Sequence, residues 1–218
     1  MTKQLLAAFL LLNLGVCCGA PVIDQSHALQ GGWTSVYGIG AQVFTVGISG
    51  RLDRIEVPLK PFPIADQTNL TAVAEVSLRR LVNGVPSASS SDVIATITQQ
   101  LPVASAEHFY DDFQWIALDG IGLDVSVGDK FAISVGSLNP ATIDDQWAWV
   151  SPSTTNSPTG YAGGEAWVLM PPDAAFRLPV LGLRDFAFRT YVTTVPEPAA
   201  CVTAVAALLA LAALRRRK

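Results

Sequence analysis

Apolar and polar residues alternate along most of the chain, with a period of two. In Arg54-Ile55-Glu56-Val57-Pro58-Leu59, the residues Ile55, Val57 and Leu59 share one face and Arg54, Glu56 and Pro58 share the other. This predicts a half-buried strand, and Pro58 predicts that it lies at a sheet edge. Gln42 to Val46 reads as a short strand ended by Ser49-Gly50. Ala74, Val76 and Leu78 are expected to face inward, with Glu75, Ser77 and Arg79 outward. The β-branched run Val93 to Thr98 predicts another strand, and Asn83-Gly84 predicts a hairpin turn. Phe113 to Leu118 continues the series with Phe113 and Trp115 on one face. A second segment, Leu123 to Val127, leads into a turn at Gly128-Asp129. Phe131, Ile133 and Val135 then alternate with Ala132 and Ser134, Gln146 to Val150 carries Trp147 and Trp149 on one face, and Phe186 to Val192 is the last strand. Residues 24–40, with Gly31-Gly32-Trp33, read as a Gly-rich lead-in. About ten short strands separated by turn signals, with no amphipathic helix, predict an all-β fold, with a two-sheet β-sandwich as its default form.

Both ends break this pattern. Residues 1–20 carry Lys3, an apolar run from Leu5 to Leu12, and the small residues Gly15, Cys17, Cys18, Gly19 and Ala20. That is the layout of a secretory signal peptide, with cleavage expected after Cys18 or Gly19. Lipidation at Cys17 is the alternative, and the bulky Val16 before it argues against that. At the other end, residues 199–214 contain no charge and are rich in Ala and Leu. As a helix they would be apolar on every face and span roughly 24 Å, slightly short for a bilayer, a difference that snorkelling cations and local thinning can absorb. Pro196 and Pro198 would give the helix a sharp start. Arg215, Arg216, Arg217 and Lys218 would stay on the cytoplasmic side. A C-terminal core helix is the competing reading, and the terminal cations fit it poorly.

Val195-Pro196-Glu197-Pro198, a short Ala/Leu span and a terminal Arg cluster together resemble the PEP-CTERM sorting signal of Gram-negative bacteria. The resemblance covers residues 195–218. It implies recognition by an exosortase-type membrane transpeptidase, with processing at or near Pro196, Glu197 and Pro198, and with Arg215, Arg216 and Arg217 as the basic cluster that completes the signal. The division that follows is a signal peptide (1–20), an extracellular β-sandwich domain (21–194) and a sorting signal (195–218).

Charge narrows the choice of partner. Setting aside Lys3 and the four terminal cations leaves nine Lys and Arg against 18 Asp and Glu, a net charge of −9 for residues 21–198. Such a domain is a poor nucleic-acid binder. All three cysteines, Cys17, Cys18 and Cys201, fall in the processed ends, so the domain has no disulfide and no thiolate metal site.

A second resemblance rests on Ala41 to Val46, Gly128 to Ile133, Tyr161-Ala162-Gly163-Gly164 and Asp185 to Tyr191. These stretches are similar to choice-of-anchor extracellular modules. The resemblance implies a jelly roll of carbohydrate-binding-module type and carries no catalytic residue.

Candidate chemistry is sparse. Gly47-Ile48-Ser49-Gly50 is not a nucleophile elbow, because its second glycine comes one residue early. His27 and His108 fall in loop-like sequence, and no zinc or EF-hand pattern occurs. Trp147, Trp149, Tyr161 and Trp167 lie within 21 residues and could stack on sugar rings; the alternative for Trp147 and Trp149 is a core face. No cofactor is required, though Asp144 and Asp145 could hold a structural Ca²⁺. The expected function is a non-catalytic surface or matrix protein that meets extracellular polysaccharide. The alternative is a glycan hydrolase with a carboxylate pair drawn from Asp111, Asp112, Asp119, Asp124, Asp129, Asp144 and Asp145.

Overall fold

The alternation around Ile55 lies at the centre of a sheet. A computed structural model describes residues 19–27, 33–35, 38–61, 72–101, 113–137, 147–150, 161–170, 175–178 and 185–194. Within these, strand β4 (Gly50–Pro61) pairs along one side with β9 (Gln114–Val125). On its other side it pairs with β13 (Phe188–Thr193) and then with β11 (Trp147–Val150). Beyond β13 lies β1 (Val22–His27), and beyond β11 lies β2 (Trp33–Ser35). The second sheet runs in the order β12 (Ala166–Leu169), β3 (Ile39–Thr45), β10 (Lys130–Ser137), β5 (Ala72–Arg79), β8 (Val93–Leu101). A small hairpin of β6 (Leu81–Val82) and β7 (Val85–Pro86) follows β5. Every pairing is antiparallel.

The two sheets face each other across one core. Ile55, Val57 and Leu59 of the first sheet and Ala74, Val76, Leu78, Ile133 and Val135 of the second are fully buried in the same cluster. Phe44 joins the layers, with its ring 6.1 Å from Phe131 and 5.9 Å from Phe188. Each large side chain withdrawn from water in this way contributes about 1.5–3 kcal/mol. The expected all-β, sandwich-like architecture is therefore present.

Several expectations are corrected. Pro58 does not mark an edge: β4 is interior, and Pro58 falls where its second side passes from β13 (Glu56 opposite Arg189) to β11 (Leu59 opposite Trp149). A residue without an N–H is tolerated at such a break in the ladder. The segments 113–118 and 123–127 are not separate strands, since Gln114–Val125 runs through both. Its irregularity opposite Asp53 is taken up by Gly120 and Gly122 at φ 69° and 65°. Ser77 and Arg79 are buried rather than solvated. Arg79 lies across its neighbours, donating to Ser134 Oγ (2.7 Å) and to the carbonyls of Ser87 (3.3 Å) and Ser89 (3.5 Å), and burial lowers its pKa. The lead-in at 24–40 takes in most of strand β1 and all of β2. In β1 the apolar residues Val22 and Ile23 are exposed while Gln25 and His27 are half-buried.

The turn chemistry holds. Asn83 and Gly84 both take positive φ (54° and 82°), as a two-residue hairpin loop of the I′ kind demands. Gly128 turns at φ 93°, and Asp129 Oδ2 accepts from Ser126 N at 2.8 Å. Residues 1–18 and 195–218, and with them most of the signal peptide and the sorting signal, lie outside the described residues. Among the described residues no helix is long and apolar enough to cross a membrane.

Candidate functional site

Trp149 leaves the set of ligand-binding candidates. Strand β11 places it between the sheets, fully buried, stacked on Phe186 (4.3 Å, 9°), with Nε1–H donating to the Ala187 carbonyl at 2.7 Å. A ring with no exposed face cannot receive a sugar, so the core alternative is the correct one for Trp149. Trp147 lies in β11 opposite Pro61, and its side chain is outside the described set. Trp167 sits in β12 opposite Ala41 and is half-buried. Asp111, Asp112, Asp144, Asp145, His108, Pro196, Glu197, Pro198, Arg215, Arg216 and Arg217 all lie outside the described residues. Among the described residues no group of three or more His, Cys, Asp or Glu could hold a metal ion.

Tyr161 also differs from an open stacking platform. Its ring packs edge-on to Phe188 (5.1 Å, 89°), and its hydroxyl donates to Gln25 Oε1 at 2.8 Å. Its backbone N–H donates to Asp185 Oδ2 at 2.5 Å. Tyr161 is the peg of a polar seam that closes the sandwich between β1 and β3. Gln42, fully buried on β3, donates to Asp185 Oδ1 (3.1 Å) and accepts from Phe186 N (2.6 Å). Asp24 is the extra residue of a bulge in β1, where Ile23 pairs with Tyr191 and Gln25 with Thr190. The bulge lets Asp24 Oδ1 accept from Gly47 N at 2.9 Å while Gln25 N donates to Thr190 Oγ1 at 3.0 Å. Gly164 is required where the loop after Tyr161 meets β3, because a Cβ there would stand 2.0 Å from the Val43 carbonyl oxygen.

Burial sets the electrostatics of this seam. It pushes the Asp24 carboxyl up against the opposing pull of the Gly47 N–H. It pushes the Tyr161 hydroxyl up as well. It pushes His27 down, with the Asp185 charge acting the other way. The His27 ring lies 5.8 Å from Tyr161, and its Nε2 is buried with no hydrogen-bond partner.

The outer face of the first sheet has a different character. Tyr191 of β13, Arg54 of β4 and Asp119 of β9 are aligned across three strands; one step along, Arg189, Glu56 and Ala117 form the next row, and Pro58 stands opposite Trp115. Trp115 is 38% exposed, and the Arg189 guanidinium lies 4.0 Å from its ring centre. Arg54 lies 5.6 Å from the Tyr191 ring centre. Glu56 gathers this group. It accepts from Arg54 Nη2 (2.5 Å) and from the Tyr191 hydroxyl (2.6 Å), with Arg189 Nη1 at 3.7 Å. The Glu56 hydrogen bond is the main reason that the Tyr191 pKa is raised. Asp119 stands 3.4 Å from Arg54 Nε, and Arg51 pairs with Asp53 at 3.1 Å.

Of these outer-face residues only Asp119 is among the candidates read off the sequence, as a possible member of a carboxylate pair. The available signal was parity: Arg54 and Glu56 oppose Ile55 and Val57, and Trp115 opposes Ile116 and Leu118. What the sequence lacked was the register that brings the three polar faces together.

No family model matches the chain. No curated protein matches it. Among solved structures, it is similar to the cysteine protease and lectin-like domains of Cwp84, a surface layer associated protein of Clostridium difficile. The TM-score is 0.49 and the identity 17%, over 78% of this chain and 36% of that one. A structure of the clostridial cysteine protease Cwp84 after propeptide cleavage gives a TM-score of 0.48 and 16% identity, over 78% of this chain and 40% of that one. The chain thus spans well under half the length of these proteins.

Proposed function

We propose that this is an exported, non-catalytic protein of the cell surface or extracellular matrix. Its body is a jelly-roll module that meets extracellular polysaccharide. A signal peptide (1–20) delivers it, and an exosortase-type transpeptidase receives it through Pro196, Glu197, Pro198 and the basic residues Arg215 to Arg217. The observation that carries this reading is where the two ends leave the sandwich. Strands β1 and β13 pair antiparallel with Val22 opposite Val192, and a side-chain carbon built at Gly19 would sit 3.3 Å from Thr194 Oγ1. Two apolar ends held by one membrane must emerge on one side of the folded domain, and this pairing puts Gly19 and Thr194, from which they continue, side by side. The non-catalytic part of the reading is supported by how the acid and base groups are used. Asp24, Asp185 and Glu56 each accept hydrogen bonds that tie strands or loops together.

The test is envelope fractionation with intact-mass measurement of the mature protein. Loss of both ends, leaving a chain that starts near residue 19 and stops near residue 197, is the expected result. A full-length chain in the cytoplasm, or turnover of polysaccharide by the purified protein, would overturn the reading.

A further inference from the structure

We propose that the outer face of β13, β4 and β9 is a binding site for an extended, uncharged polysaccharide lying between the Trp115 and Tyr191 rings. This rests on the reading that the protein is exported to a glycan-containing matrix.

Three features of the face select this ligand. The first is the pair of aromatic rings. From Tyr191, opposite Arg54, to Trp115, opposite Pro58, the offset is four residues along the strands and two strands across. At strand spacing and rise that is about 16 Å, the length of a chain segment rather than of one small molecule. Among the described residues Trp115 is one of six large apolar side chains left exposed, and the Arg189 guanidinium at 4.0 Å holds its ring in place. The apolar C–H faces of pyranose rings fit such surfaces.

The second feature is the charge between the rings. Arg54 and Arg189 are matched there by Glu56 and Asp119. The stretch between the rings therefore carries no net charge, on a domain whose overall charge of −9 repels polyanions. A sugar hydroxyl both donates and accepts, so it can bridge an exposed carboxylate and an exposed guanidinium. The Arg54–Asp119 pair, with side chains 42% and 63% accessible, offers that arrangement through groups other than the Arg54 Nε, which is buried. The third is rigidity. From Arg54 to Glu56 all three strands pair without a break in register, and β4 and β9 continue so to Leu59, so little order has to be created on binding.

The experiment is affinity electrophoresis of the full-length chain in a non-glycosidic detergent, through gels containing a neutral glucan, a galactomannan or a polyuronate. Retardation by at least one neutral polysaccharide is expected, insensitive to added salt. Trp115→Ala and Tyr191→Ala should each weaken it about tenfold or more, Trp115→Tyr should restore part of it, and Val127→Ala on the β9–β10 turn should leave it unchanged. Thermal unfolding of each variant separates lost binding from lost fold. Three results would overturn the site: no retardation in any gel, retardation by the polyuronate alone that salt abolishes, or retardation unaffected in both alanine variants. Fractionation reports separately on export. An exported chain that no polysaccharide retards would sink the site and leave the export reading standing, and a cytoplasmic chain with variant-sensitive retardation would do the reverse.

Discussion

Trp149 shows how much one side chain can carry in this fold. It fills the space under Phe186 and satisfies its only donor on Ala187. Trp149→Ala should cost about 3–5 kcal/mol in a denaturant titration; a loss under about 1 kcal/mol would contradict its place in the core. Tyr161→Phe removes the hydroxyl's bond to Gln25 and its longer contacts with the Thr45 backbone (3.4 and 3.5 Å) and keeps the ring against Phe188, so about 0.5–1.5 kcal/mol is expected. His27 gives the pH dependence. Its folded pKa lies below the ordinary 6.5 because burial disfavours the charged ring. As pH falls through 6.5 the unfolded chain takes up the proton first, so stability drops with acidification. Unfolding free energies between about pH 7.5 and about pH 5.5 should show that slope, flatter in His27→Gln. An unchanged slope would count against the buried-imidazole argument. Asp24 has the opposite sign: its raised pKa favours the folded state as pH falls toward the carboxylate range, so it offsets the histidine only at lower pH. Sequence alone could list Trp149 and Tyr161 as aromatics. It could not separate a ring in the core from a peg in a seam, because that depends on partners such as Gln25 and Phe186 that are distant along the chain.

Elements with a strong local signal were read from the sequence, and those defined by partners were not. Strand β10 and the Asn83-Gly84 turn follow from alternation and from the φ preference of Asn and Gly. Strand β1 was missed because its inward positions are Gln25 and His27 and its apolar residues Val22 and Ile23 point to solvent. It is a strand because β13 offers it an edge and because Asp24, Gln25 and Thr190 bond across the seam. Pro58 misled for the same reason, since no local pattern shows where one neighbour ends and the next begins. At Gly164 the element scale makes a sharp prediction. Gly164→Ala drives a Cβ into the Val43 carbonyl and must separate the loop from β3, destabilising by more than about 3 kcal/mol. Gly84→Ala meets open space, so only its positive φ is penalised, at about 1 kcal/mol. Comparing the two melting curves distinguishes close approach from backbone strain, and equal shifts would refute the distinction.

For the whole molecule, the sandwich was legible because period-two alternation recurs from residue 42 to residue 192, whereas the outer-face platform depends on registers that join Arg54 to Asp119 and to Tyr191, residues far apart along the chain. The same register governs how the folded domain responds to pulling. Gly19 and Thr194 lie at the same end of the β1–β13 pair. Force applied between these two ends therefore falls on the ladder one rung at a time, as when a zip is opened, and not on all rungs together. A domain held by both ends would yield at low tension by releasing β1. A domain held by the β13 end alone, with its load applied through the outer face, transmits that load from β9 through β4 to β13, where the antiparallel ladders are long and are strained in parallel. With its amino-terminal end free, a sandwich loaded in this way would act as a link that bears load and not as a fastener that opens.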